Sequence, residues 1–101
     1  MSPPRISVVM PFLNARATLG ETVESILDQT REDFELVAVD DGSTDGSPEH
    51  LLDIAGTDPR LRLFRPGHRG IVGAMNYGLH RARGELVARM DADDRMHPQR
   101  L

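Results

Sequence analysis

Residues 36–43 read LVAVDDGS, and residues 86–94 read LVARMDADD. In both stretches a short apolar run, of the kind that forms a buried strand, ends in a cluster of aspartates. Two carboxylates about 6 Å apart repel by roughly 3 kcal/mol at an effective dielectric of 20. Because a cation or a hydrogen-bonding ligand would relieve this repulsion, the pattern favours a metal-assisted site for a phosphate-bearing ligand over a structural role.

Composition limits the classes of protein to which the chain can belong. Its 101 residues make one domain at most, and its content of 39% hydrophobic and 28% charged residues is that of an ordinary globular protein. The net charge of −4 argues against nucleic acid as a partner. Without cysteine there is no disulfide, no thiolate zinc site and no thiol nucleophile.

Membrane and export signals are also missing from the sequence. No apolar stretch approaches the roughly 18 residues that indicate a membrane span, and the first five residues lack the apolar core of a signal peptide. We therefore expect a cytoplasmic protein, or one that is peripheral at the inner membrane face in its full-length form.

Hydrophobic periodicity predicts strands that alternate with helices. The predicted strands cover residues 6–10, where Pro11 closes the run, and residues 34–39, 61–64 and 85–90. This order predicts an α/β fold, with an open, mostly parallel sheet and flanking helices. In such sheets ligands bind at the carboxyl ends of the strands, which is where both aspartate clusters lie.

The helices have recognisable start signals. A capping box at residues 18–21 predicts the start of the first helix, and Ser47-Pro48-Glu49 predicts the start of a second that stops near Gly56. A third helix is predicted over residues 71–83, and residues 98–101 look like the first turn of a fourth. The side chains predicted to face the sheet are Leu19, Val23, Ile26, Leu27, Met75, Leu79 and Ala82.

Three common ligand motifs are excluded. Residues 11–14 read PFLN where a dinucleotide site needs Gly-x-Gly-x-x-Gly, and a chain without lysine has no Gly-x-x-x-x-Gly-Lys phosphate loop. Arg95 and Met96 stand where a calcium loop needs an oxygen ligand and a glycine. The remaining candidate is Asp91-Ala92-Asp93, whose carboxylates point to one side if the backbone is extended. There they suit Mg²⁺ or Mn²⁺, with phosphate oxygens and water completing the coordination shell.

Several segments resemble family 2 glycosyltransferases of the GT-A fold, in the expected order and spacing. They are SVVMPFLN at residues 7–14, VDDGSTD at 39–45, RGE at 83–85, RMDADD at 89–94 and HPQRL at 97–101, with Arg69-Gly70 and Asn76-x-Gly78 between them. His68 departs from the pattern, because many members carry asparagine there. The resemblance implies the Rossmann-like nucleotide-binding half of a GT-A glycosyltransferase, spanning residues 1–101 as its N-terminal donor-binding part.

The resemblance also implies roles for particular residues. Those implied to contact the nucleotide sugar are Pro11, Leu13, Asp40, Asp41, Arg69 and Asp91. Pro11 and Leu13 would border the base, Asp41 would accept a hydrogen bond from it, and Asp40 would support that loop. Arg69 would lie near the base or diphosphate. Asp91 would approach the ribose or the metal, and Asp93 would bind Mn²⁺ or Mg²⁺ directly.

The implied reaction transfers a sugar from a nucleoside diphosphate donor to a saccharide or lipid-linked acceptor hydroxyl, with inversion at the anomeric carbon. In the family the general base lies well downstream of the Asp-x-Asp, and no catalytic residue is assigned in this chain. We therefore expect a donor-binding part without its acceptor-binding half, inactive alone. Donor base, sugar and acceptor stay open.

Plainer interpretations stand beside this one. Asp40 and Asp41 can form a turn with Gly42-Ser43, Arg69 can be a solvated loop charge, and Asp94 suits a capping or turn role. The chain can also be a noncatalytic module that forms a homodimer through an uncovered sheet edge or apolar face. A phosphoacceptor receiver domain is disfavoured, because the first strand ends in Pro-Phe and the chain has no lysine.

Overall fold

A computed structural model describes residues 3–101 of the chain. The strands are β1 (Ile6–Phe12), β2 (Phe34–Asp40), β3 (Leu61–Phe64) and β4 (Leu86–Arg89), and the helices are α1 (Arg16–Leu27), α2 (Ser47–Ala55) and α3 (Gly70–Arg81). The strands form one parallel sheet in the order β3-β2-β1-β4. This confirms the predicted open parallel α/β architecture, with the strand order of a Rossmann-type half-sheet.

The helices cover both faces of the sheet. On one face Val8 and Met10 of β1 pack in a core with Leu19 and Ile26 of α1 and with Leu51 of α2. On the other face the side chains that alternate with them, among them Val9, Val37 and Val39, pack against Ala74 and Met75 of α3. The two central strands are therefore buried on both faces, as their continuous apolar sequences require.

Strand β1 runs through Pro11 and does not end before it, so this predicted boundary is wrong. Met90 N–H donates to Val9 O and Leu86 N–H donates to Arg5 O, which shows that odd-numbered residues of this strand face β4. The last pair with β4 is Val9↔Arg89, so Pro11 lies just beyond the ladder on that side. A proline is tolerated there because no partner needs the N–H group that it lacks.

Helix α1 begins two residues before the predicted capping box, with Ala15 as its N-cap and no side-chain cap of its own. Its first free N–H groups are bound by the start of α2 and by the loop that precedes it. Ala15 N–H donates to Ser47 Oγ over 3.0 Å, and Arg16 N–H donates to Asp45 Oδ2 over 3.1 Å. A cap supplied from 29 or more residues away leaves no local sequence signal.

The fourth strand is less buried than its sequence indicates. Leu86 and Val87 are 52% and 46% exposed, because β4 lies at the end of the strand order and pairs only with β1 within residues 3–101. Two further expectations are wrong. Leu79 of α3 is exposed, and residues 98–101 form a turn without a helix. No helix in the described part of the chain is both long and apolar enough to cross a membrane.

Candidate functional site

A cleft opens at the carboxyl end of the sheet, between β1 and β4. The chain passes from β1 to β2 and β3 on one side, then returns to place β4 on the other side of β1. Such a reversal of strand order leaves a crevice beyond the strand ends, where ligands bind in open α/β sheets. The cleft encloses about 420 Å³ and is lined by residues 11–15, Thr18, Ile71 and residues 91–93. It therefore contains four of the predicted site residues, Pro11, Leu13, Asp91 and Asp93.

The Asp91–Asp93 segment forms a turn, so the extended backbone that would point both carboxylates to one side is not present. Asp94 N–H donates to Asp91 O over 3.1 Å, and the buried Ala92 side chain fixes the turn against the core. Asp91 and Asp93 are exposed, and within residues 3–101 neither carboxylate has a hydrogen bond or an ion pair. Both carboxylates are therefore free to bind a ligand in the cleft.

A divalent metal fits this donor set in part. Among the described residues no three histidine, cysteine or acidic side chains are arranged to hold a metal ion. Two free carboxylates are nonetheless the hard oxygen donors that Mg²⁺ and Mn²⁺ prefer, and such ions commonly take one or two protein carboxylates with phosphates and water. Asp91 and Asp93 would thus hold the ion together with the ligand.

The other two aspartates are buried outside the cleft lining. Asp40 Oδ1 accepts a hydrogen bond from Ser43 N–H at 3.1 Å, and its Oδ2 lies 3.7 Å from Arg65 Nε. Asp40 therefore closes the turn that follows β2. Its charge is balanced by Arg65, which lies directly after β3.

Asp41 binds the loop between β3 and α3. Its Oδ1 accepts a hydrogen bond from Arg69 N–H at 2.7 Å, and its Oδ2 lies 3.3 Å from His68 Nδ1. The Arg69 guanidinium stacks over the Tyr77 ring, 5.1 Å from its centroid, and is not among the groups that line the cleft. Asp41 and Arg69 therefore hold this loop against the end of β2, next to the start of α3.

Asn14 is a contact that the sequence reasoning did not assign. It lines the cleft with a positive φ of 50°, a conformation that asparagine tolerates better than most residues. Its Oδ1 accepts a hydrogen bond from Thr44 N–H at 2.8 Å, and its own N–H donates to Ser43 Oγ at 2.9 Å. Asn14 thereby ties the loop after β1 to the loop after β2.

A polar row along α1 was also missed. Thr18, Thr22 and Ser25 recur at intervals of three or four residues beside the apolar positions of the helix, and Gln29 continues the row just beyond the helix end. The capping-box pattern predicts Thr18 as a helix cap, whereas its hydroxyl lies 3.0 Å from Ala92 O. The spacing was a usable signal, because buried polar residues in such a row require partners across the interface.

Glu35 is a buried acid at the opposite end of the sheet. Its carboxylate accepts hydrogen bonds from the Ser7 hydroxyl at 2.5 Å, from Arg83 N–H at 2.7 Å and from Arg62 Nη1 at 2.7 Å. Burial alone would raise its pKa, but these hydrogen bonds and the Arg62 charge outweigh it, so the pKa of Glu35 is lowered. Through these donors Glu35 of β2 joins β1, β3 and the segment that precedes β4.

A family comparison covers nearly the whole chain. The model of glycosyl transferase family 2 matches residues 7–101. Among curated relatives, an uncharacterized glycosyltransferase of Haemophilus influenzae is 40% identical over 95 residues, covering 93% of this chain and 38% of the relative. The putative teichuronic acid biosynthesis glycosyltransferase TuaG of Bacillus subtilis is 37% identical, covering 97% and 39%. The chain thus spans about two fifths of these relatives.

Solved structures share the fold. The mannosyltransferase PcManGT from Pyrobaculum calidifontis, in complex with GDP-Man and Mn²⁺, is 36% identical with a TM-score of 0.80, over 91% of this chain and 28% of that one. S. aureus TarS 1–349 in complex with UDP is 28% identical with a TM-score of 0.85, over 94% and 29%. TarS has also been solved with UDP-GlcNAc.

Proposed function

The chain belongs to glycosyl transferase family 2 and has the GT-A fold, and from this premise we propose that it binds a nucleoside diphosphate sugar and a divalent metal in the cleft between β1 and β4. Residues 1–101 form the donor-binding part of the glycosyltransferase domain. The relatives solved with GDP-Man and Mn²⁺ or with UDP-GlcNAc support this class of ligand.

One observation supports the proposal most strongly. Asp91 and Asp93, free of protein partners within residues 3–101, line the same cleft as Pro11 and Leu13. The carboxylates offer a place for the metal and diphosphate, and Leu13, 44% exposed, offers apolar surface to a nucleotide base. A nucleoside diphosphate sugar carries both a base and a diphosphate, and so would match Leu13 and the two carboxylates of the cleft.

Each remaining predicted residue has a role in this proposal. Asp93 binds Mn²⁺ or Mg²⁺ directly, and Asp91 approaches the metal or the ribose. When bound, the metal neutralises charge on the diphosphate leaving group. Asp40 supports the loop after β2. Asp41 would accept a hydrogen bond from the base through Oδ2, which must then exchange its present contact with His68 Nδ1 for the base. Arg69, whose N–H donates to Asp41 Oδ1, anchors the loop beside it.

The reaction that we propose is an inverting transfer. An acceptor hydroxyl of a saccharide or lipid-linked substrate attacks the anomeric carbon as the bond to the diphosphate oxygen breaks. A general base removes the hydroxyl proton, and the nucleoside diphosphate leaves with the electron pair of the broken bond. No residue of this chain is assigned as that base, so donor binding is the activity proposed for residues 1–101.

Calorimetric titration with UDP and with GDP, each with and without Mn²⁺, tests the proposal. We expect Mn²⁺-dependent binding of at least one nucleotide, and in Asp93→Asn an affinity lower by at least about tenfold, equivalent to about 1.4 kcal/mol. Asp94→Asn is the matched control, because Asp94 belongs to the same cluster but does not line the cleft. Metal-independent affinity for both nucleotides, or equal losses in the two variants, would overturn the proposal.

A second candidate is a noncatalytic module that associates with itself. The free edge of β4 and the exposed side chains of Leu86 and Val87 favour it, since unpaired strand edges promote pairing between chains. Self-association can be distinguished from donor binding, because self-association needs neither nucleotide nor metal.

A further inference from the structure

One side of α1 carries a row of polar side chains that faces the segment after β4. The row consists of Thr18, Thr22 and Ser25 within α1 and Gln29 two residues beyond its end, and together we call them the α1 polar row. Thr22 is 1% exposed, Ser25 8% and Gln29 5%. Buried polar groups are costly without partners, so the row must bind something across the interface.

The row binds the main chain that follows β4. Thr18 Oγ1 lies 3.0 Å from Ala92 O, and Thr22 Oγ1 lies 2.8 Å from Ala92 O and 2.6 Å from Asp94 O. Further along, Ser25 Oγ accepts a hydrogen bond from Met96 N–H at 2.8 Å. Gln29 Nε2 donates to His97 O at 2.7 Å, and its Oε1 accepts from Leu101 N–H at 3.1 Å.

These contacts replace the secondary structure that the segment lacks. Residues 90–101 lie in neither a helix nor a strand, and their backbone bonds to one another are those of two turns, Asp94 N–H to Asp91 O and Arg100 N–H to His97 O. Since so few hydrogen bonds lie within this segment, its conformation depends on contacts with other parts of the chain. Here the buried side chains of Ala92 and Met96 and the α1 polar row hold it.

Within the α1 polar row, Thr22 contacts the main chain next to Asp93, the candidate metal ligand. Three carbonyl oxygens lie near its hydroxyl: Thr18 O of its own helix at 3.2 Å, and those of Ala92 and Asp94, the residues on either side of Asp93. A hydroxyl has one proton, so Thr22 donates to one carbonyl at a time, and Asp94 O is the nearest of the three. Thr18 is the second donor for Ala92 O. Together the two threonines fix the backbone before and after the exposed carboxylate of Asp93.

We propose that Thr22, assisted by Thr18, is a positioning residue for metal and nucleotide binding, which it supports by holding the Asp91–Asp94 turn so that both free carboxylates face the cleft. The inference rests on the proposed donor-binding function. Groups that orient metal ligands through hydrogen bonds typically change metal affinity by about 10- to 100-fold when removed. Thr22 acts through the backbone of the turn and contacts no ligand itself.

The test compares Mn²⁺ binding in Thr22→Val and Thr22→Ser, measured by electron paramagnetic resonance with UDP or GDP present. Valine keeps the shape of threonine and removes the hydroxyl, whereas serine keeps the hydroxyl. Val23→Ala is the matched control, because it weakens the same core at the next position of α1 but removes no hydrogen bond to the segment after β4. All variants are measured well below their unfolding temperatures.

We expect the Mn²⁺ Kd to rise at least about tenfold in Thr22→Val and to stay within about threefold of the unmodified chain in Thr22→Ser. Val23→Ala should lower Tm and leave the Kd within the same threefold range. If Thr22→Val does not fold, Thr18→Val takes its place, because Thr18 is only half-buried. The Mn²⁺ Kd of that variant should also rise. An unchanged Kd in the valine variant, or an equal loss in Val23→Ala, overturns the positioning role alone. Absence of Mn²⁺ binding by the unmodified chain overturns the proposed function as well.

Discussion

At the scale of single residues, the aspartates at the carboxyl ends of β2 and β4 have separate roles. Asp40 and Asp41 are buried and bind the loops around them, whereas Asp91 and Asp93 are exposed in the cleft. The sequence predicted carboxylates at strand ends, because an apolar run followed by aspartates is a local pattern. It could not predict which of them bind protein, since the partners of Asp41 lie 27 and 28 residues further along the chain.

The buried carboxylate of Glu35 gives a pH-dependent prediction. Its pKa in the folded chain is lower than the ordinary value of 4.5, so its contribution to stability is complete above that pH and is lost as the pH falls through the folded-state value. Glu35→Gln should lower the free energy of unfolding by about 1–3 kcal/mol at pH 7, because Arg62 and Arg83 lose a charged acceptor.

Urea unfolding at pH 7 and near pH 3 measures this effect. The difference between the unmodified chain and Glu35→Gln should shrink at the lower pH. Glu32→Gln, at an exposed position, should stay within about 0.5 kcal/mol of the unmodified chain. A Glu35→Gln deficit of the same size at both pH values would show that the charge of Glu35 is not responsible.

At the scale of helices and strands, the alternation of elements was predictable and several of their ends were not. Periodicity located all four strands and three helices, because it reflects which faces are buried. It did not predict that β1 continues through Pro11, or that α1 takes its cap from Asp45 and Ser47. It also overestimated the burial of β4, because an apolar sequence does not reveal whether a strand lies at the edge of its sheet.

The contact between α3 and the sheet gives a prediction at this scale. A Cβ atom at Gly78 would lie 2.5 Å from Val9 Cγ1 and 3.1 Å from Val39 Cγ2, so the helix could not keep its present distance from the sheet. Gly78→Ala should therefore lower the free energy of unfolding by about 1–3 kcal/mol.

Gly20→Ala is the matched control for this prediction. Gly20 also lies within a helix, but a Cβ atom there would meet its nearest neighbours at ordinary distances, 3.8 and 3.9 Å. Alanine should stabilise that helix by up to about 1 kcal/mol. Chemical denaturation of both variants measures the difference, and a stabilised Gly78→Ala would contradict the packing described here.

At the scale of the whole molecule, topology creates both the site and a free edge. The reversal of strand order that opens the cleft also leaves β4 paired on one side only within the described residues. The sequence predicted the fold class and the end of the sheet that carries the site, because strand ends and strand order follow general rules. Which loops meet across the cleft depends on contacts distant in sequence, so the sequence placed Asp40 and Asp41 beside the nucleotide, whereas in the structure they bind neighbouring loops.

The free edge predicts self-association. Leu86 and Val87 are consecutive residues of β4 and expose apolar side chains on its two faces, and a second chain can pair with the free edge of this strand. The sedimentation coefficient should therefore rise with protein concentration, and Val87→Lys should reduce that rise. Val72→Lys, an equally apolar position on α3 that is 71% exposed, should leave it unchanged. A monomer at millimolar concentration would contradict the prediction.

The location of bound metal tests the central claim most directly. Mn²⁺ broadens the NMR signals of nearby amides, so its position can be read from the resonances lost when it is added with UDP or GDP. The proposal predicts loss of signals from Leu13, Asn14 and residues 91–94, reversal by EDTA, and no loss around Glu35 at the other end of the sheet. In Asp93→Asn the broadening should largely disappear. Broadening centred elsewhere, or unchanged in Asp93→Asn, would show that this cleft does not hold the metal and its nucleotide.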